Sequence, residues 1–232
     1  MSPERFARIN QMLDNRQPDL TLCLDKVHKT NNIAAVIRTA DAVGIHQIHA
    51  IWPDLDMRVS GNTASGSQQW VKTIKHDHMD EAQAQFRAQG MQILATNFSE
   101  NAVDFREIDY TRPTAIILGN ERDGVSPEGI AAADQHIIIP MIGMVQSLNV
   151  SVASALIMYE AQRQREAAGM YGQRKLDEAY CQVKLFEQGH PIYAKACRRK
   201  DIPYPKVDEQ GQIVADPQWW ERMRSPQAES VG

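Results

Sequence analysis

The segment LTLCLDKVHKTNNIAAVIRTADAVGIHQIHAIW, residues 20–52, reads as strand, helix and strand. Leu20 to Leu24 is a short apolar run holding one threonine, the pattern of a strand buried on both faces. Asn31 or Asn32 stands where a helix N-cap belongs, because its side-chain oxygen can take an unpaired amide of the first turn. Ile33, Val36, Ile37, Ala40 and Val43 then recur at helical spacing, and Gly44 marks the stop. Arg38 and Asp41 fall off that apolar face. From Ile45 to Trp52 the chain is apolar again, as a second strand.

The alternation continues downstream. A polar loop of small residues runs through Gly66, a strand lies near Trp70 to Ile74, and a helix spans Met79 to Ala88 before Gly90. Met91 to Ala95, Ala115 to Leu118 and Ile137 to Ile139 are further short buried strands, the last two separated by a glycine-bearing turn and a helix after Pro127. Strands alternating with helices predict an α/β domain around a parallel sheet covered on both faces. From Leu148 to about Ala168 a long helix mixes Ser151, Ala153, Ser154 and Ala155 with Val150, Val152, Leu156 and Ile157, so a neighbouring backbone can approach it closely.

The ends differ from this core. Ser2 and Pro3 start a helix over residues 3–15 whose apolar positions are Phe6, Ile9 and Leu13. Beyond Gly169 come short polar helices, about 174–188 and 190–199, and a proline-punctuated segment with Trp219 and Trp220. The expected division is an N-terminal helix, 1–18, a central domain, 19–168, and a C-terminal extension, 169–232.

With 43% hydrophobic and 23% charged residues in 232, the chain is ordinary globular material. Its most apolar stretch, Ile137 to Val145, contains Pro140 and Gly143 and falls far short of the roughly 20 residues that span a bilayer. No signal peptide is visible, so a cytoplasmic location without membrane attachment is expected. Cys23, Cys181 and Cys197 are odd in number and lack CxxC spacing, which predicts reduced thiols. The net charge of −4 argues against a nucleic-acid partner until it is resolved along the chain. Residues 1–40 hold six basic and four acidic groups, residues 41–160 seven and fifteen, and residues 161–232 twelve and ten. Within 161–200 the count is nine basic to four acidic, including Arg163, Arg165 and the run Arg198, Arg199, Lys200.

Common catalytic signatures are missing. No GxGxxG follows the first strand, and Gly124 to Gly129 has phosphate-loop spacing but lacks the following lysine. His46 and His49 are three apart in a strand, and His76 and His78 share a face without a third ligand, so both pairs read as structural or solvated. Ser147 lacks the GxSxG elbow. What stands out is polar residues at strand ends, where open α/β sheets bind ligands: Asn32 and Arg38, the turn GNERDG (119–124) and the turn GMVQSLN (143–149).

NNIAAVIRTADAVG (31–44), ILGNERDGVS (117–126) and IPMIGMVQSLNVSVASALIMYE (139–160) resemble, in order, the three motifs of the SpoU family of RNA ribose 2′-O-methyltransferases. HKTNN (28–32), ASGSQQW (64–70), ILATN (93–97), NAVDFREIDYTRPTA (101–115), EAQRQR (160–165), PYP (203–205) and the late tryptophan pair are similar to the branch that modifies a D-loop guanosine of tRNA. Thr30 and Asn31 depart from the pattern, where relatives commonly carry Pro and His.

The resemblance implies a SPOUT-type domain with a C-terminal trefoil knot, a homodimer with its active site near the subunit interface, S-adenosylmethionine as methyl donor and no metal. It implies cofactor contacts at Thr96, Gly119, Ile139 and Leu148, and a catalytic role for Arg38 with Asn32, Glu121, Ser147 and Asn149 ordering the site. Arg38 would act as general base, which its high intrinsic pKa opposes, or stay charged and stabilise a developing alkoxide. The tRNA contacts expected are Arg8, Arg16, Arg163, Arg165, Arg198, Arg199 and Lys200, with Arg5 beside them. The alternatives are methylation of another RNA, such as rRNA, and a noncatalytic RNA-binding or assembly protein on the same fold.

Overall fold

The computed structural model describes residues 1–52 and 69–225. The polar loop expected through Gly66 lies outside the described residues. Two compact units emerge, one formed by Gln17–Tyr171 and the other by Met1–Arg16 together with the chain from Gly172 on. The two ends of the chain, read separately from sequence, therefore belong to one unit.

The larger unit is built on a seven-stranded parallel sheet of β1 (Leu20–Asp25), β2 (Gln47–Ile51), β3 (Lys72–His76), β4 (Gln92–Thr96), β5 (Val103–Asp104), β6 (Thr114–Gly119) and β7 (Gln135–Ile138), in the order β3-β2-β1-β6-β4-β7-β5. β1 lies between β2 and β6 and is buried at all six positions. Its side chains alternate between faces as strand geometry requires. Leu20, Leu22 and Leu24 join one apolar cluster with Ile33, Val36, Ile37, Ile157 and Met158, from α2 (Thr30–Ala42) and α5 (Val150–Ala167). Cys23 joins another with Met79, Ala82, Phe86 and Ala132, from α3 (Met79–Ala88) and α4 (Pro127–Ala132). Helices thus cover both faces, which is why β1 needs no polar side.

One helix start differs from expectation. Lys29, not Asn31 or Asn32, is the N-cap residue of α2 and makes no side-chain cap bond, so both asparagines lie in the first turn with their amides free for other partners. At the far end Gly44 takes φ +82, and Ile45 N–H closes on Ala40 O at 2.9 Å, so the chain leaves the helix directly into β2.

In the smaller unit, α1 (Pro3–Asp14) packs against α6 (Glu178–Gly189), followed by α7 (Pro191–Lys200), a β8–β9 hairpin (Lys206–Val207, Ile213–Val214) and α8 (Pro217–Arg224). Phe186 centres its core, with the Tyr204 ring at 4.8 Å and the Trp219 ring at 6.4 Å. All three cysteines are buried free thiols. No helix among the described residues is long and apolar enough to cross a membrane.

Candidate functional site

The carboxyl ends of β4, β6 and β7 open onto a cavity of about 710 Å³. Thr96, Gly119, Ile139 and Leu148 all line it, as do Glu121 and Ser147. Gly119 is required there. A Cβ at this position would lie 1.9 Å from the Gly124 carbonyl carbon, because Asn120 and Gly124 close a tight bridge with Gly124 N–H donating to Asn120 O at 3.0 Å. The Asn120 carboxamide oxygen also accepts the amides of Arg122 and Asp123, at 2.9 and 2.8 Å, and so presents Glu121 outward.

Three chain segments meet at Glu121. The Asn32 amide donates to Glu121 Oε1, and the Lys29 ammonium lies 3.6 Å from the same oxygen. The Asn149 amide donates to Asn32 Oδ1 at 3.3 Å, while Asn149 Oδ1 caps α5 by accepting from Ser151 N–H at 2.9 Å and Ser151 O–H at 2.6 Å. The start of α2, the turn after β6 and the start of α5 are therefore tied by one polar chain. Arg38 is exposed, two turns along α2, and no hydrogen bond or ion pair among the described residues joins it to that chain.

Further residues shape the site. Asn97, Asn120, Met141 and Gln146 line the cavity and fall inside the motif segments without being singled out, whereas Phe98, also in the lining, lies just beyond ILATN. Asp25, at the buried end of β1, accepts Ser126 N–H on Oδ2 at 2.7 Å and anchors the exit of the Glu121 turn. The histidines pair differently from their sequence neighbours: His49 Nδ1 and His76 Nε2 lie 2.8 Å apart across β2 and β3, with rings stacked at 5.1 Å.

The basic residues divide sharply. Arg165, expected to meet RNA, has no exposed surface. Its guanidinium donates to Asp19 Oδ1 at 2.6 Å, Gln17 Oε1 at 3.1 Å and the carbonyls of Tyr110, Asp19 and Arg112 at 2.8, 3.3 and 3.1 Å, a clamp within the sheet domain. Lys200 spends all three ammonium donors on the last carbonyls of α8, those of Arg222, Met223 and Ser225, at 3.0, 2.6 and 2.7 Å. Arg16 is 1% exposed, its Nε on Met12 Sδ at 3.0 Å. All three are held by contacts within the fold, Arg16 and Arg165 buried and Lys200 half-buried, so these side chains serve the structure. Arg8, Arg163, Arg198 and Arg199 are exposed. Arg163 forks onto Glu160 at 3.0 and 2.7 Å and holds that carboxyl below its usual range, whereas Arg198 donates to the Tyr204 hydroxyl at 2.7 Å. Arg5 Nε donates to Gln188 O at 2.9 Å.

The cavity has the size of small-molecule sites, with Leu118, Ile137, Ile139, Leu148 and Ile157 inside and Thr96, Asn97, Asn120, Gln146 and Ser147 as polar lining. Apolar walls for a planar ring, with polar groups among them for a ribose and an amino-acid tail, fit S-adenosylmethionine. The same fold and motif positions are matched by the family described as SpoU rRNA Methylase over residues 19–159, and by its C-terminal region over 163–216, so the chain belongs to this family. The tRNA (guanosine(18)-2′-O)-methyltransferase of Escherichia coli (strain K12) is 58% identical to it over 227 residues, 97% of this chain and 99% of that protein. The crystal structure of the A. aeolicus TrmH/SpoU tRNA modifying enzyme matches with a TM-score of 0.75 at 42% identity, covering 82% of this chain and 96% of the other. The SpoU methyltransferase AviRb from Streptomyces viridochromogenes, in complex with AdoMet, matches with a TM-score of 0.60 at 27% identity, covering 66% and 64%.

Proposed function

We propose that this protein methylates the ribose 2′-OH of the D-loop guanosine at position 18 of tRNA, the substrate named for its 58%-identical relative. The observation that carries the reading is the Asn149–Asn32–Glu121 chain at the carboxyl ends of the strands, two of its three segments also bordering the cavity. Thr96, Gly119, Ile139 and Leu148 would hold S-adenosylmethionine, which supplies a methyl group on a positively charged sulfur. Such a donor leaves the protein to align the acceptor oxygen and ease loss of its proton, with no metal required.

Arg38 is assigned to that oxygen. A guanidinium offers five donors and no acceptor, so its role is to stabilise the developing alkoxide rather than to take the proton. Asn32, Glu121, Ser147 and Asn149 order the nucleotide and the loops around it. Arg38→Ala is expected to cut turnover about a hundredfold or more with an unchanged melting temperature. Near-normal turnover in that variant would remove Arg38 from the mechanism. Arg38→Lys keeps a charge but loses the planar fork, and is expected to recover little.

The reading includes a homodimer, a knotted thread through the sheet domain as the family resemblance implies, and tRNA contact by the N-terminal helix and C-terminal extension. Support for the dimer comes from α5. Its inner face, Val150, Ser154, Ile157, Met158 and Ala161, is buried, yet Val152, Leu156 and Tyr159 form a second apolar stripe that is exposed. The direct test is incubation with methyl-labelled S-adenosylmethionine and, in parallel, unmodified tRNA or unmodified rRNA, then nuclease mapping. Label on the ribose at position 18 is expected; label only on rRNA, or none, would overturn the assignment.

A further inference from the structure

Phe98 follows β4, lines the cavity, and is 91% exposed. The other phenylalanines are sheltered: Phe86, Phe105 and Phe186 are buried and Phe6 is half-buried. The backbone flanking Phe98 is pinned. Asn97 N–H donates to Ile137 O at 3.3 Å, the Asn97 amide lies 3.5 Å from His136 Nδ1, and the Ser99 hydroxyl lies 2.9 Å from the same nitrogen. Ala102 N–H donates to Ser99 O at 3.0 Å and closes the turn beyond it. An apolar ring is therefore held in water by neighbours tied to β7 and its carboxyl end, at a cavity whose interior continues apolar through Leu118, Ile137 and Ile139.

We propose that Phe98 is an aromatic platform on which a purine stacks at the cavity. The inference rests on the methyltransferase reading, which brings two purines to this place, the adenine of the cofactor and the guanine of the target nucleotide. Both offer the same planar face to a phenyl ring. Tethering on either side leaves little ordering to be done when the ligand arrives, so the contact favours affinity.

Three variants separate stacking from bulk: Phe98→Ala, Phe98→Leu and Phe98→Tyr. Each is measured for melting temperature, for affinity toward S-adenosylhomocysteine without RNA, and for KM toward unmodified tRNA at saturating S-adenosylmethionine. Phe98→Ala is expected to weaken one of the two affinities about tenfold or more, the range of a single stacked base. Its melting temperature should stay close to wild type. Phe98→Tyr should restore the loss and Phe98→Leu only part of it. A loss confined to S-adenosylhomocysteine assigns the platform to adenine, and one confined to the tRNA KM assigns it to guanine. An alanine variant with both affinities intact, or a leucine variant equal to the tyrosine one, would overturn the platform. Failure of the parent reading is distinct, because the wild-type protein would then leave tRNA unmethylated.

Discussion

Removing the Arg165 guanidinium would take a donor from five acceptors at once: the carbonyls of Asp19 and Arg112 keep the Thr114 amide and hydroxyl, whereas the half-buried Asp19 carboxylate loses its cation. Arg165 is fully buried and its partner Asp19 half-buried, so Arg165→Ala, which also empties the volume of a buried side chain, is expected to lose about 2 kcal/mol of folding stability in urea titration. Arg165→Lys should recover little, since an ammonium cannot make the same fork. A contact with RNA would give a different result: normal stability and a weaker, less salt-sensitive complex. Arg165 illustrates what could be read from the chain and was not. EAQRQR looks like a solvated basic tail, but continuing the inward positions 150, 154, 157, 158 and 161 by one more turn lands on 165 and leaves 163 outside. Helical spacing carried the answer, and the charge of the residue concealed it. Phe98 left no such trace, because nothing in its neighbours foretells the His136 tethers.

Among the elements, the regular ones were read most closely. Met79–Ala88 agrees at both ends, since it has a continuous apolar face and a glycine stop. β5 escaped, because its two residues, Val103 and Asp104, hold no periodicity and exist as a strand only through pairing with β7. The β2–β3 edge holds a pair that local spacing also missed. His49 is buried against His76 and the edge of Phe86, and burial, with the neighbouring His76 and Lys72 adding to it, depresses its pKa to about 4. Burial lowers His76 as well, against the pull of Glu81. Both imidazoles bind protons more readily in the unfolded chain. The stability they contribute is therefore present above the ordinary histidine pKa of about 6.5, and is lost as pH falls from there toward 4. Moving from pH 7.5 to pH 5 should cost about 2 kcal/mol through His49, visible as a lower urea midpoint. In His49→Phe that acid-dependent step should shrink; an unchanged pH profile in this variant would mean that other groups set it.

For the molecule as a whole, the mild acidity is compatible with RNA only if enough exposed cations remain after the structural ones are set aside. Arg16, Arg165 and Lys200 are held by contacts within the fold, which leaves Arg8, Arg163, Arg198 and Arg199 of the seven expected contacts, with Arg5 exposed beside them. Four phosphate contacts would give a log-log salt slope of roughly −3, and a dimer engaging one tRNA with both copies would double the supply. In a dimer, association would thus be linked to substrate affinity as well as to burial of the second α5 stripe. Ile142, Met144 and Val145, in the segment just before α5, are exposed too, and a second copy of this chain would cover them together with Val152, Leu156 and Tyr159. Leu156→Arg puts a charge in the middle of that stripe while leaving the buried face of α5 untouched. Sedimentation should show wild-type dimer and variant monomer at micromolar concentration. The monomer should keep its fold by circular dichroism, bind tRNA with a shallower salt slope, and methylate poorly. If it instead methylates tRNA at the wild-type rate with the wild-type slope, one subunit suffices, and the exposed stripe on α5 needs another occupant.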